Sequence, residues 1–326
     1  MEQPVLIAGR APQECSVYDA DICILSHLRL AETCAAIASA RAQTGLTRHI
    51  FVLDQGSPAA HCTALAAIIG DAPDIALFSL AQNHGVGAGR NRLAGLGHGR
   101  VIIGLDNDAQ FAEPGVAARA VRRLAAAPDL AVIGFRIMAA DQVSLDLTSW
   151  GYPRRLLAQA HELFACHTFV GAGHAIARAA WVMTGGYDEG FFFTWEEYEF
   201  ALRAIAQGWR LEYHGDLAII HAVAAEARVT WQSGRWRQFV RNRLLIAHDW
   251  QNAPWRERYA VRLLFYALRG LVLGLPGPTL QAFAEARRMA ANRPPRPMDA
   301  AMRRQLQGRQ SRRPGPHSAT GPVHLH

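Results

Sequence analysis

Val101-Ile102-Ile103-Gly104-Leu105-Asp106-Asn107-Asp108 decides how this chain is read. Its apolar residues run without alternation, as in a strand buried on both faces, the habit of parallel sheets covered by helices. Two carboxylates then appear one residue apart. In an extended segment residues two apart point the same way, so Asp106 and Asp108 can address one ligand together. At a strand end they offer the hard oxygen donors that a divalent cation takes. Asp-Asn-Asp is also good turn chemistry and needs no ligand for that role. The surroundings have to decide.

Working outward, strand and helix patterns alternate. Upstream come a buried strand at 21–25, a helix at 30–43 ended by Gly45, and a strand at 49–53 that runs into Asp54-Gln55-Gly56-Ser57. A helix at 59–69 stops at Gly70, and a strand at 75–80 leads into a glycine-rich loop and a helix through Leu96. Downstream lie a helix at 115–127 and a strand at 130–135. Such alternation predicts an α/β fold, a mostly parallel sheet with helices on both faces. Ligands of open sheets sit beyond the carboxyl ends of the strands, where Asp54 and Asp106 both fall. Residues 137–168 are less regular. A strand at 174–177, a helix from Ala179, a helix at 196–207 and two short strands ending at His221 follow.

Composition narrows the function. The 326 residues allow a sizeable core, and half of them are hydrophobic. All 34 basic residues are Arg. A Schiff-base enzyme, a Walker A loop and a protein kinase each need a lysine, so these are excluded. The five scattered Cys form no Cys-x-x-Cys pair, which fits a reducing compartment and argues against structural zinc. No secretory signal pattern precedes the first strand, so a cytoplasmic location is expected. A net charge of +7 favours anionic partners.

The loop Asn83-His84-Gly85-Val86-Gly87-Ala88-Gly89-Arg90-Asn91 lies between a strand and a helix. Its glycines permit close backbone approach to phosphates, and a helix N-terminus with Arg90 favours an anion. As a dinucleotide fingerprint it lacks the third glycine, because Arg90 stands there. Taken with Asp54, Asp106-x-Asp108, Gly185-Gly186-Tyr187-Asp188-Glu189, the aromatic run 191–193, Glu196-Glu197 and His221, the loop completes an ordered set.

That set resembles glycosyltransferase family 2, over roughly residues 21–249. The resemblance implies a GT-A fold, an inverting mechanism and a hexosyl or deoxyhexosyl transfer from a nucleotide sugar. Arg241-Asn242-Arg243 and the helices after it are similar to the branch labelled rhamnosyltransferase-like. It implies roles residue by residue. Asp54 would contact the donor base, Asn83, Gly85 and Arg90 the donor pocket, with Arg90 on the diphosphate side, and Asp106 the ribose. Asp108 would be the direct ligand of Mn2+ or Mg2+, and His221 would complete the metal shell. Glu197 falls at the catalytic base, where the family more often has Asp, and Glu196 beside it is the alternative. Gly171 and Gly173 permit close approach in the segment that supports the acceptor. The donor would be a UDP- or dTDP-sugar and the acceptor a glycan or lipid-linked molecule, in polysaccharide biosynthesis at a bacterial cell envelope.

The resulting organisation is an N-terminal extension at 1–20, a GT-A domain at 21–234 divided near 136 into nucleotide and acceptor halves, a helical region at 235–291, and a Pro/Arg-rich, largely disordered tail at 292–326. Residues 259–275 are apolar but carry Arg262 and Arg269. They predict a helix that lies on an anionic membrane surface, peripheral at its inner face, or packs on the catalytic domain. Two rival functions remain: an inactive sugar-nucleotide-binding GT-A protein, and an NAD-dependent dehydrogenase that leaves Asp106 and Asp108 unexplained. Nucleic acid is not an expected partner, because the basic run 296–313 has no interleaved aromatics.

Overall fold

A computed structural model describes residues 2–13, 16–222, 233–251 and 254–308. The first half alternates as the sequence predicts: β1 (Val5–Gly9), β2 (Ala20–Ser26), α1 (Leu30–Arg41), β3 (Arg48–Gln55), α2 (Ala59–Ile69), β4 (Ile75–Leu80), α3 (Val86–Leu96) and β5 (Val101–Asp106). Next come β6 (Ala109–Phe111), α4 (Val116–Ala126), β7 (Leu130–Met138), two 3-10 turns, β8 (Leu163–Ala165), β9 (Gly173–Ala177), α5 (Arg178–Thr184), α6 (Glu196–Ala206) and β10 (Arg210–His221). The remainder is α7 (Ser233–Asp249), β11 (Trp250–Gln251), α8 (Trp255–Val272), α9 (Pro276–Ala290), β12 (Arg296–Pro297) and α10 (Ala300–Gly308).

The main sheet runs β1-β4-β3-β2-β5-β9-β7-β10-β6, with β8 against β10. Strands β4, β3, β2 and β5 are parallel neighbours, which is why their residues read as unbroken apolar runs. Ser26 pairs with Asp54 and Leu25 with Asp106, so the carboxyl ends of β3, β2 and β5 finish at one level. Antiparallel β9 interrupts the parallel order between β5 and β7. Two apolar layers cover the sheet. One joins α1, α2 and α4 to the strands; the other joins α3, α5, α6 and the C-terminal helices.

Three expectations change. The extension at 1–20 supplies β1, which pairs antiparallel with β4 at the sheet edge. The two short strands before His221 are one long strand with a bulge between His214 and Ala218. Gly215 forms it because a Cβ there would collide with the Ala160 carbonyl. The Pro/Arg-rich stretch from Asn292 is ordered through Gly308. Arg296–Pro297 pair with Trp250–Gln251, Arg296 stacks on Trp250, and Met302 of α10 is buried. Composition hid these few anchoring contacts. Residues 309–326 of the expected tail lie outside the described residues.

Candidate active site

The site forms where the ends of β5 and β10 meet. β5 ends at Asp106, the chain turns through Asn107 and Asp108, and β6 then pairs antiparallel with β10 so that His221 lies opposite Ala109. This register brings ligand atoms of Asp106, Asp108 and His221 within 4.8 Å of one another. His221 Nε2 is 3.8 Å from Asp108 Oδ1, while its Nδ1 is 2.7 Å from Asp146 Oδ2 and 3.3 Å from Ser149 Oγ. A carboxylate on Nδ1 holds the proton there and leaves Nε2 free to donate its lone pair. Two carboxylates and one imidazole nitrogen suit a divalent cation such as Mn2+ or Mg2+. Arg29 forms an ion pair with Asp108, so a positive charge is already favoured at this place. Burial, and then the neighbouring Asp106, push the Asp108 carboxyl above its usual range.

Arg90 links this cluster to the second carboxylate group. Its Nη2 donates to Asp106 at 2.7 Å and to the Gly171 carbonyl at 2.8 Å, and its Nη1 donates to Glu197 at 2.9 Å. Burial opposes the guanidinium charge, but Asp106, Tyr187 and Glu197 outweigh it and keep Arg90 protonated. Gly171 is required at this crossing: a Cβ there would overlap Glu197 Oε1 and lie 2.6 Å from Arg90 Nη1. Asn91, the next residue, fastens the Gly185-Gly186-Tyr187 turn by exchanging bonds of 2.8 and 2.9 Å with Tyr187 backbone.

Glu196 and Glu197 open α6, and the two differ sharply. Glu197 lines a cavity of about 520 Å³ together with Tyr152, His167, Trp195 and Tyr198. Glu196 is 2% exposed, and its Oε2 has no hydrogen-bond partner. Burial and then Glu197 push the Glu196 carboxyl well up. Burial also raises Glu197, but Arg90 works against it and favours its charge. The turn into α6 places Thr194 and Trp195 at φ of 70° and 71°, both left-handed. Successive non-glycine residues there are strained and persist only when clamped. Asn242 of α7, fully buried, is the clamp: Nδ2 donates to the Phe193 and Thr194 carbonyls at 3.0 and 2.8 Å.

Residues 21–182 match the family model of Glycosyl transferase family 2. The fold is that of GT-A glycosyltransferases. A mannosyltransferase of Pyrobaculum calidifontis, solved with GDP-Man and Mn2+, superposes with a TM-score of 0.56 at 16% identity, over 86% of this chain and 78% of that one. GalNAc-T7, solved with UDP, GalNAc and Mn2+, gives 0.61 at 15% identity over 90% of this chain, which spans only 57% of GalNAc-T7. S. aureus TarS 1-349 gives 0.54 at 14% identity, over 81% and 80%. No curated protein matches the sequence.

Not every residue singled out in the sequence faces the cluster with a free side chain. Asp54 is buried at the end of β3 and accepts from Ser57 N at 3.0 Å, Ser57 Oγ at 2.7 Å and Ser26 Oγ at 3.2 Å. Asn83 Oδ1 accepts from Gly85 N at 2.8 Å, so it shapes its own loop. Val86 N donates to the Phe192 carbonyl at 2.7 Å, and a Cβ at Gly85 would collide with that carbonyl. Gly85 and Val86 therefore pack against the chain at Phe192. Arg29, Asp146 and Arg235 escaped the sequence reading. Arg29 sits at φ 58° before α1, Asp146 lies in the irregular stretch, and Arg235 stacks on Phe193 from α7 with a buried, unpartnered Nη1. Burial and then the nearby Arg29 lower the Arg235 pKa, a local excess of positive charge. Spacing carries no signal for such contacts.

Proposed function

We propose that the protein is an inverting, metal-dependent glycosyltransferase. It moves a sugar from a UDP- or dTDP-sugar to a hydroxyl of a glycan or lipid-linked acceptor. The observation that carries this reading is the Asp106–Arg90–Glu197 bridge, which ties the strand-end carboxylates to a carboxylate lining a cavity. A donor diphosphate beside Asp106 and Asp108 and an acceptor beside Trp195 and Tyr198 would then flank Glu197 from two sides.

Glu197 takes the proton of the acceptor hydroxyl as that oxygen bonds to the anomeric carbon. The bond from this carbon to the diphosphate oxygen breaks, and its electron pair leaves with the diphosphate. Attack and departure on opposite faces invert the configuration, with no covalent sugar on the protein. A divalent cation on Asp108 and His221, when bound, supplies charge neutralisation to the leaving diphosphate. In this reading Arg29, beside Asp108, and Arg235, near Arg29, would meet phosphate oxygens of the donor. Arg90 fixes the Glu197 carboxylate and favours its charged form against the opposing effect of burial. Buried Glu196, whose carboxyl burial and then Glu197 push well up, is the weaker candidate for the base.

Melting temperatures with UDP, dTDP, GDP and CMP, each with Mn2+ and with chelator, test the donor and metal together. UDP or dTDP should stabilise with Mn2+ and much less with chelator, and Asp108→Ala should erase that difference. No stabilisation by any nucleotide overturns the donor reading. A product whose anomeric configuration matches the donor overturns inversion.

A further inference from the structure

Helix α8 is apolar on two opposite faces, and among the described residues only one of them is covered. Tyr266 and Gly270 are buried, with Tyr259 and Leu263 half-buried beside them, where α8 packs on α7 and α9. On the far side Val261, Leu264, Phe265, Leu268, Leu271 and Val272 are 65%, 61%, 54%, 56%, 63% and 86% exposed. At about 100° per residue these six occupy an arc of about 120°, a continuous stripe roughly 17 Å long. Scattered exposed aliphatics are ordinary, but a contiguous apolar surface of this kind marks an interaction face.

Charge selects the occupant. At the same angular spacing Arg258, Arg262 and Arg269 fall along one edge of the stripe. None of the three makes an ion pair among the described residues, unlike Arg237 and Arg241 of α7, which meet Glu285. Burial and then Arg243 lower the Arg262 pKa, so this edge is positively crowded. The one carboxylate on α8 is Glu257 in the first turn. A second copy docking on this stripe would add another set of unneutralised arginines. Lipid phosphates would neutralise the row while acyl chains take up the stripe. No helix among the described residues is long and apolar enough to cross a membrane. We propose that the exposed face of α8 is a docking surface for an anionic lipid bilayer, on which the protein lies without spanning it. The inference is independent of the transfer reaction.

Flotation of the full chain with phosphatidylcholine vesicles, with and without phosphatidylglycerol, tests it. Binding is expected to the anionic vesicles and to weaken with salt. Leu264→Glu and Leu268→Glu should each lower it about 10-fold or more. Arg258→Gln with Arg269→Gln should lower it about 30-fold. All of these side chains are exposed, so the melting temperatures should stay at the wild-type value. Ile68→Glu, at an exposed position of α2, should leave binding unchanged. The proposal is overturned by equal binding to neutral vesicles. Flotation that survives the α8 substitutions also overturns it, since other basic residues would then carry the binding. A dimer that Leu268→Glu splits, together with no lipid binding, assigns the face to a second copy and overturns it too.

Discussion

The two carboxylate groups of the site are built in opposite ways. Asp106, Asp108 and His221 are placed by backbone pairing: β5 ends, the chain turns, and β6 meets β10 in register. Glu196 and Glu197 are placed by a strained turn that α7 holds from 48 and 49 residues away. The first group is rigid because a sheet is rigid. The second depends on a few side-chain bonds and is open to adjustment. A cation site tolerates little displacement of its ligands, whereas a base must meet an acceptor that arrives from outside. In the proposed reaction the metal side and the acceptor side should therefore respond differently to substitution.

The largest separation should come at Glu197. Glu197→Gln keeps its size and can still accept the Arg90 bond but cannot take a proton. Turnover should fall by about 10²–10⁴-fold, with donor affinity nearly unchanged. Transfer rate and donor binding on the same preparation check this. Near-normal transfer by the Gln variant, with a dead Glu196→Gln, would move the base by one residue and break the comparison as drawn.

The strand-built side has its own indirect support in Asp146. Its carboxylate holds His221 Nδ1 at 2.7 Å and also caps the turn through Thr148 and Ser149. Asp146→Asn retains an acceptor for the turn but weakens the hold on the His221 proton. Mn2+ affinity, followed by the paramagnetic signal of free ion without donor or acceptor, should drop by about 10-fold or more. Unchanged affinity would remove His221 from the metal set.

Asn242→Ala tests the clamp. Two part-buried carbonyls lose their donor, a cost of about 1–3 kcal/mol in denaturant stability. Thr194 and Trp195 can then relax, and turnover should fall while Mn2+ affinity holds. If both fall together, the two groups are one mechanical unit.

How far the sequence could be read follows the same division. Buried parallel strands reveal themselves by unbroken apolar runs, and carboxylates at their ends are visible one residue apart, so the fold and Asp106-x-Asp108 were readable. His221 was readable only as a strand end, and its proximity to Asp108 needed the β6–β10 register. The Arg90 bridge was not readable, because it spans 107 residues to Glu197 and passes through a gap that only Gly171 leaves open. A glycine loop before a helix reads the same whether its amides face a phosphate or the Phe192 carbonyl. The strand and helix between Asn292 and Gly308 rest on few contacts, and composition carries no signal for them.

The smallest expected effect lies inside the acidic pair. The Glu196 carboxyl stands well above its ordinary 4.5 because burial, and then Glu197, disfavour its charge. A raised folded-state pKa means that the folded protein binds a proton the unfolded chain has released. That contribution to stability is fully present below the unfolded value and is lost as pH rises through the folded one. Glu196→Gln removes the titration without removing the side chain. Its denaturation midpoint should therefore gain on the wild type as pH rises above 4.5, with the two curves converging in acid. Turnover near neutral pH should change little if Glu196 takes no acceptor proton. Midpoints that stay parallel across this range would place the excess proton on Glu197. The acceptor side would then hold its base protonated in the free protein, ionised only once donor and acceptor rearrange the charges around Arg90.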